Sequence, residues 1–110
     1  MSARYDYRGD AATGPLVERA LHRVIDPEMA LDIVELGLVY GVEASERAVR
    51  VRITMTSAAC PVTELIVDDV TRELKAALGD DLEVAVDVVW DPPWEPERMS
   101  ERARAAMGWD

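Results

Sequence analysis

Within the predicted strand Ala48–Met55, side chains alternate strictly between apolar and polar from Val49 onward, and this pattern constrains the fold more than any other. A period of two residues is typical of a β-strand with one buried and one solvated face. A strand of this kind needs a second layer, because its apolar face has to be removed from water. The apolar positions are Val49, Val51, Ile53 and Met55, and the polar positions are Arg50, Arg52 and Thr54.

Two amphipathic helices are predicted to form that second layer. The first begins at Gly14-Pro15, because proline is tolerated in the first helical turn, and it ends at Asp26-Pro27, where the second proline disfavours helical backbone. The second has Cys60 as its N-cap and Pro61 as its first helical residue, and it ends at Gly79. The predicted buried stripes are Leu16, Val17, Ala20, Leu21 and Val24 in the first helix and Val62, Leu65, Ile66, Val70, Leu74, Ala77 and Leu78 in the second.

Two further strands, Leu38–Ala44 and Leu82–Trp90, and a short last helix capped by Ser100 complete the order α-β-β-α-β-α. This order predicts an α+β fold, a two-layer α/β sandwich in which two helices cover a three-stranded mixed sheet. The second and third strands are expected to be parallel and joined by a right-handed crossover. Residues 1–13 lack periodicity and are predicted to be a flexible N-terminal arm, whereas residues 14–110 are predicted to form a single domain.

The connector between the first helix and the next strand contains a local capping signal. Asp32 and Glu35 have the spacing of a capping box, and Gly37 can close the turn in the left-handed conformation. One helical turn is therefore predicted near residues 33–36. The lone histidine, His22, is predicted to lie on the surface, on the polar side of the first helix.

Charge and cysteine content limit the classes of partner. The formal net charge is −10, with 22 acidic residues against 12 basic ones, and a field of that sign repels nucleic acids and anionic membranes. No apolar run reaches the roughly 18 residues of a membrane span. A single cysteine excludes an internal disulfide bond and favours a reducing compartment, so a cytoplasmic location is expected.

Cys60 is the residue whose position most clearly predicts chemistry. At the start of a helix, unpaired backbone N–H groups and the positive end of the helix dipole favour the thiolate, which is the form that binds soft metals. The loop before it supplies hydroxyl groups at Thr56 and Ser57. The alternative is a small buried cysteine that acts only as an apolar side chain.

Two other motifs leave alternatives open. Asp26 and Glu28 flank Pro27, and their carboxylates can serve as oxygen ligands or as a base near a thiol, or can simply be solvated at the end of the helix. In the segment WDPPW, Trp90 and Trp94 can either bind a partner protein or seal the end of the sheet.

Three separated segments of the chain, taken together, resemble the PaaD-like family of small metal–sulfur cluster assembly factors, which is related to the cytosolic iron–sulfur targeting factors. The segments are IDPEMALDIVELGLVYGV, VRITMTSAACPVTELIVDDV and VDVVWDPPWEPERMSERARAAMG. The resemblance implies an iron–sulfur cluster assembly domain, with Cys60 as the reactive cysteine and Asp26 and Glu28 as the carboxylates of the D-P-E motif. It also implies that Thr56 stands at one of the family's two hydroxyl positions and that Ser57 replaces the second threonine.

The implied function is a maturation factor, not an enzyme, that delivers clusters to apo-proteins. A cluster needs about four protein ligands, so one cysteine implies that a cluster or iron is bound only transiently. The implied partners are the assembly machinery and apo-protein clients, and a homodimer that shares a cluster is left open. The alternatives are an accessory component of an aromatic-acid oxygenase system and a docking adaptor in which Cys60 is structural and Trp90 and Trp94 contact the partner.

Overall fold

The computed structural model describes residues 5–27, 29–55 and 60–108, with backbone only for residues 60–62. The strands are β1 (Asp6–Arg8), β2 (Ile25–Asp26), β3 (Leu31–Asp32), β4 (Val39–Ala44), β5 (Ala48–Ile53) and β6 (Glu83–Val88). The helices are α1 (Gly14–Leu21), α2 (Cys60–Leu78) and α3 (Glu101–Met107), and Pro96–Arg98 forms a short 3-10 helix.

The main sheet has the strand order β1-β4-β5-β6. Strands β4 and β5 form an antiparallel hairpin with a bulge near Gly41, and β5 and β6 are parallel. The parallel pairing of β5 with β6 confirms the prediction. It is possible because helix α2 carries the chain back along the sheet, so that both strands run in the same direction. Helix α2 packs against both α1 and β6, which gives the predicted two layers.

The predicted number of strands was wrong, because the main sheet has four strands instead of three. The additional strand, β1, comes from the segment expected to be a flexible arm, and it pairs in parallel with β4 from Asp6–Gly41 to Arg8–Glu43. Tyr5, just before it, is buried in the core, and the Tyr7 hydroxyl donates to the Asp10 carbonyl at 2.7 Å. A strand of three residues is too short to show a period of two, so periodicity could not reveal it.

Burial confirms the predicted apolar face of β5 and part of each helical stripe. Val49, Val51, Ile53 and Met55 are buried and pack with Ile66, Val70 and Leu74 of α2 and with Val17, Ala20 and Leu21 of α1. Two stripe predictions were wrong, because Leu16 and Leu65 are 39% and 56% exposed. Each precedes a buried neighbour by one residue, and a rotation of about 100° per residue turns it out of the core.

A small hairpin that was not predicted precedes one helical turn, in which the Leu36 N–H donates to the Asp32 carbonyl at 3.1 Å, close to the predicted residues 33–36. Strands β2 and β3 pair antiparallel, Ile25 with Asp32 and Asp26 with Leu31. The Asp32 carboxylate accepts hydrogen bonds from the backbone N–H groups of Val34 and Glu35 at 3.0 and 2.9 Å, so its capping role is confirmed. Gly37 has the expected left-handed backbone, with φ of 76°.

The C-terminal segment closes the end of the domain that the hairpin occupies. The Trp94 indole N–H donates to the Leu36 carbonyl at 2.8 Å, and Met99 and Ala103 are buried. Ser100 caps α3, as predicted, by accepting a hydrogen bond from the Ala103 N–H at 3.0 Å. Across the described ranges, no helix combines the length and the apolar character needed to cross a lipid bilayer.

Candidate functional site

A chain of backbone hydrogen bonds links the β2–β3 hairpin to the carboxyl end of β5. The Ile33 N–H donates to the Val24 carbonyl at 3.0 Å, and the Leu38 N–H donates to the Ile33 carbonyl at 2.9 Å. The Thr54 N–H then donates to the Leu38 carbonyl at 2.8 Å, directly after β5 ends. The hairpin that carries Asp26 is therefore fixed to the strand end from which the chain continues toward Cys60.

Asp26 is a buried carboxylate in that hairpin, with only 1% of its surface exposed. The Met29 N–H donates to its Oδ1 at 3.3 Å, and the Ala30 N–H donates to its backbone carbonyl at 2.8 Å. Ala30 has a φ of 58°, an uncommon value for a residue with a Cβ. The interpretation of Asp26 as a solvated end of the helix is therefore wrong, because a buried carboxylate is kept only where other groups compensate its desolvation.

Helix α2 begins with Cys60 itself, one residue earlier than predicted. Cys60 is therefore the first helical residue instead of the N-cap, and it still lies in the turn whose backbone N–H groups lack helical partners. Strand β2 packs against this helix. The side chains of Cys60 and Pro61, and the whole of Glu28, Thr56 and Ser57, lie outside what the structure describes, so their predicted roles and the distance from Asp26 to the thiol stay predictions.

The two tryptophans of the WDPPW segment differ in their surroundings. Trp94 is half-buried and bonded to Leu36, which favours the sealing interpretation for this residue. Trp90 is 50% exposed. The residue before it, Val89, donates its N–H to the Ile53 carbonyl at 2.8 Å, so Trp90 lies at the same end of the sheet as Thr54.

Thr54 is a residue that sequence reasoning missed. The alternation in β5 predicted it on the solvated face, but it is fully buried. Strand β5 ends at Ile53, so the alternation no longer decides which side chain is exposed. Its Oγ1 has no hydrogen-bond partner among the described residues, and a hydroxyl of this kind is uncommon in a folded protein.

A second polar cluster was also missed, and it includes His22. The His22 Nδ1 lies 3.1 Å from Oδ1 of Asp32, and its Nε2 lies 3.7 Å from Oε2 of Glu18. Glu35 lies beside them, and one ligand atom each from His22, Asp32 and Glu35 fall within 4.8 Å of one another. The spacing of Asp32 and Glu35 is visible in the sequence, but no local pattern indicates that the hairpin brings them to His22.

Comparison with known proteins identifies the family. The sequence profile described as iron–sulfur cluster assembly protein matches residues 16–88, which contain both Asp26 and Cys60. This chain belongs to that family. The match confirms the resemblance predicted from the three sequence segments.

Relatives in this assembly family align over most of the chain. An Fe-S protein maturation auxiliary factor of Bacillus subtilis, YitW, is 43% identical over 90 residues, which are 81% of this chain and 87% of the relative. A second factor of that description, SufT of Staphylococcus aureus, is 43% identical over 86 residues, 77% of this chain and 97% of the relative. The crystal structure of a domain of unknown function from Bacillus anthracis superposes with a TM-score of 0.82 at 44% identity, covering 91% of this chain and 94% of that one.

Proposed function

We propose that this chain is an accessory maturation factor that helps deliver iron–sulfur clusters to apo-proteins, with Cys60 as a transient ligand of iron. The observation that carries the proposal is the connection of the Asp26 hairpin, through Leu38 and Thr54, to the strand end that precedes Cys60. The names of the relatives, Fe-S protein maturation auxiliary factors, support the same general role. In this role the protein is a carrier or an escort and not a catalyst.

The start of α2 supports a reactive thiol at Cys60. Backbone N–H groups and the dipole of this 19-residue helix stabilise an anion at its first turn by about 0.3–2 kcal/mol. Because 1.36 kcal/mol corresponds to one pKa unit, the thiol pKa is expected to fall by roughly one unit from about 8.5. A modest shift of this size suits a ligand that binds a metal and then releases it.

The remaining ligands of the cluster must come from outside a single chain. One cysteine supplies one of the roughly four protein ligands that a cluster normally needs. We infer that a client thiol or a second copy of this chain supplies the others during transfer. The buried Asp26 carboxylate is proposed as an oxygen ligand or a proton acceptor for the thiol, because strand β2, which carries Asp26, packs against helix α2, which begins at Cys60.

Transfer to an apo-protein tests this function. The chain is reconstituted anaerobically with iron and sulfide, and absorbance and native mass spectrometry follow cluster binding. The reconstituted chain is then mixed with an apo-client whose activity reports cluster uptake. Cys60→Ser and Asp26→Asn are expected to slow client activation, whereas Asp87→Asn, which changes a partly exposed carboxylate on β6 that contacts Arg50, leaves it unchanged. Wild-type rates for both Cys60→Ser and Asp26→Asn would contradict the proposed site.

Half-exposed Trp90 favours a second candidate, a docking adaptor in which Cys60 is structural. An adaptor requires the surface around Trp90 and not the thiol, since large aromatic side chains dominate the binding energy of many interfaces. In the same assay, Trp90→Ala would then abolish activation while Cys60→Ser retained it. Loss of activation in Cys60→Ser with retained binding to the client rejects the adaptor.

A further inference from the structure

The end of α1 and the β3 turn bring His22, Asp32 and Glu35 to one place on the surface. His22 directly follows α1, Asp32 lies in β3, and Glu35 lies in the turn after it. Their nearest ligand atoms, one imidazole nitrogen and two carboxylate oxygens, all fall within 4.8 Å of one another. None of the three belongs to the group of Asp26 and Cys60 on which the proposed function rests.

The ligand groups are held in position by their own hydrogen bonds. The Asp32 Oδ1 accepts the N–H groups of Val34 and Glu35 at 3.0 and 2.9 Å, and Glu35 Oε1 accepts the Ser100 hydroxyl. A carboxylate oxygen has more than one lone pair, so a carboxylate that accepts a hydrogen bond can also coordinate an ion. Hydrogen bonds to ligating side chains fix their orientation, which reduces the cost of assembling a metal site.

The cluster opens onto a cavity of about 360 Å³ between the β3 turn and α3. Helix α3 presents the small side chains of Ala103 and Ala106 to this cavity, together with Arg102. His22 and Asp32 are 34% and 17% exposed in their side chains, so an ion reaches them from solvent while part of its hydration shell is replaced. The cavity leaves room for water to complete the coordination of a bound ion.

We propose that His22, Asp32 and Glu35 bind one divalent transition-metal ion of the zinc, cobalt or iron type. Two ligands bound to one ion at 2.0–2.1 Å in tetrahedral geometry lie about 3.3 Å apart. One ligand atom each from His22, Asp32 and Glu35 already lie within 4.8 Å of one another, so side-chain movement brings them to this separation. An imidazole with two carboxylates favours these ions over Mg²⁺ and Ca²⁺, which prefer oxygen ligands alone.

The single histidine makes the test specific to this site. The tag-free chain is titrated with Zn²⁺ and Co²⁺, and the ring protons of His22 are followed by NMR, since no other imidazole contributes a signal. One equivalent of Zn²⁺ is expected to shift these protons, and Co²⁺ to shift and broaden them strongly. Excess Mg²⁺ is expected to leave them unchanged.

Variants separate this site from the thiol site. Glu35→Gln is expected to weaken Zn²⁺ binding at least about tenfold, and His22→Gln to abolish the strong site in calorimetry. Cys60→Ser and the matched control Glu43→Gln, which changes an exposed carboxylate on β4, keep wild-type shifts of His22. Because Cys60→Ser retains the binding, failure of the thiol mechanism and failure of this site are distinguishable.

Two results overturn the proposal. One is an absence of any Zn²⁺-dependent change at His22 when the ion is in several-fold molar excess. The other is unchanged Zn²⁺ affinity in both His22→Gln and Glu35→Gln while circular dichroism shows that both variants are folded. Either result leaves the cluster as a contact between His22 and Asp32 with no metal function.

Discussion

The β5–α2–β6 unit and the segment from His22 to Gly37 are stabilised by different interactions. In the first, apolar side chains repeat with the period of their own strand or helix, and burial of Ile53, Ile66 and Leu74 holds the layers together. In the second, strands of two residues are held by backbone hydrogen bonds, and the turn after them is capped by N–H groups that donate to the Asp32 carboxylate. The β5–α2–β6 unit is stabilised by apolar packing, while the segment from His22 to Gly37 carries the polar side chains Asp26, Asp32 and Glu35. The candidate chemistry lies where these two regions meet.

The largest expected effect comes from placing a charge in the regular unit. Ile53→Asp buries an unpaired carboxylate at a position with no exposed surface and is expected to cost more than about 4 kcal/mol, enough to unfold most of the chain. Arg52→Asp, one residue earlier on the exposed face, is expected to change stability by only about 0.5 kcal/mol. Urea unfolding followed by circular dichroism measures both, and a folded Ile53→Asp with a wild-type midpoint would refute the strand assignment.

A smaller effect is expected in the irregular segment, at the turn closed by Gly37. Gly37 has a φ of 76°, and a Cβ there would overlap the carbonyl oxygen of Arg98. Gly108 has nearly the same backbone, with a φ of 74°, but a Cβ added there would meet no atom within 4 Å. Gly108→Ala is therefore expected to cost about 1 kcal/mol, and Gly37→Ala about 2 kcal/mol more, which thermal unfolding of both variants measures. Equal losses in the two variants would show that the contact with Arg98 adds nothing to the turn.

Replacing each of the two tryptophans by phenylalanine compares an anchored ring with a half-exposed one. Trp94→Phe removes the donor to the Leu36 carbonyl and is expected to lower the free energy of unfolding by about 1–3 kcal/mol. Trp90→Phe changes a half-exposed ring and is expected to change stability by about 0.5 kcal/mol or less. Thermal unfolding of both variants against the wild type checks the difference. A larger loss in Trp90→Phe would reverse the assignment of Trp94 as the anchor.

The smallest effect is a dependence of stability on alkaline pH. Burial, with a smaller contribution from Glu18, raises the pKa of Tyr5 above the ordinary value of 10. The folded state then keeps the neutral phenol while the unfolded state ionises. The stability contributed by Tyr5 is therefore fully present below about pH 10 and is lost as the pH rises toward the folded-state pKa, by up to 1.36 kcal/mol per pH unit.

Tyr5→Phe is the control for that effect, because phenylalanine keeps the ring and cannot ionise. The stability difference between the wild type and Tyr5→Phe is measured by urea unfolding at about pH 8 and about pH 11. It is expected to shift in favour of Tyr5→Phe at the higher pH. A difference that is independent of pH would mean that the Tyr5 phenol ionises equally in both states.

Sequence patterns predicted the parts of the fold that are long enough to show a period. The alternation in β5 and the stripe in α2 predicted the buried positions Val49, Val51, Ile53, Ile66 and Val70, and the cap at Ser100 is confirmed. Strands β1, β2 and β3 were missed because two or three residues are too few to establish a period. Their formation depends on partners that are distant in sequence.

The candidate site was predictable only in its separate parts. Asp26 and Cys60 were chosen from the local sequence and from the family resemblance, and the profile match covers both. The burial of Asp26 and Thr54 depends on how the hairpin and the end of β5 meet, and no local pattern encodes this. His22 was predicted only to lie on the surface, because its neighbours, Asp32 and Glu35, approach it only in the folded chain.

The pairing of β1 with β4 has a consequence for local opening of the molecule. The strand covers only Asp6–Arg8 and joins the sheet through a contact that is long-range in sequence, so closing it costs more chain entropy than closing the β4–β5 hairpin. Short elements of this kind open at lower free energy than the core, and their amide hydrogens exchange sooner. Tyr5 and Asp6 line a cavity of about 700 Å³ together with Tyr40 and Arg52, so one wall of this cavity depends on the pairing of β1. We therefore expect the β1 edge of the sheet to open locally at a lower free energy than that of global unfolding.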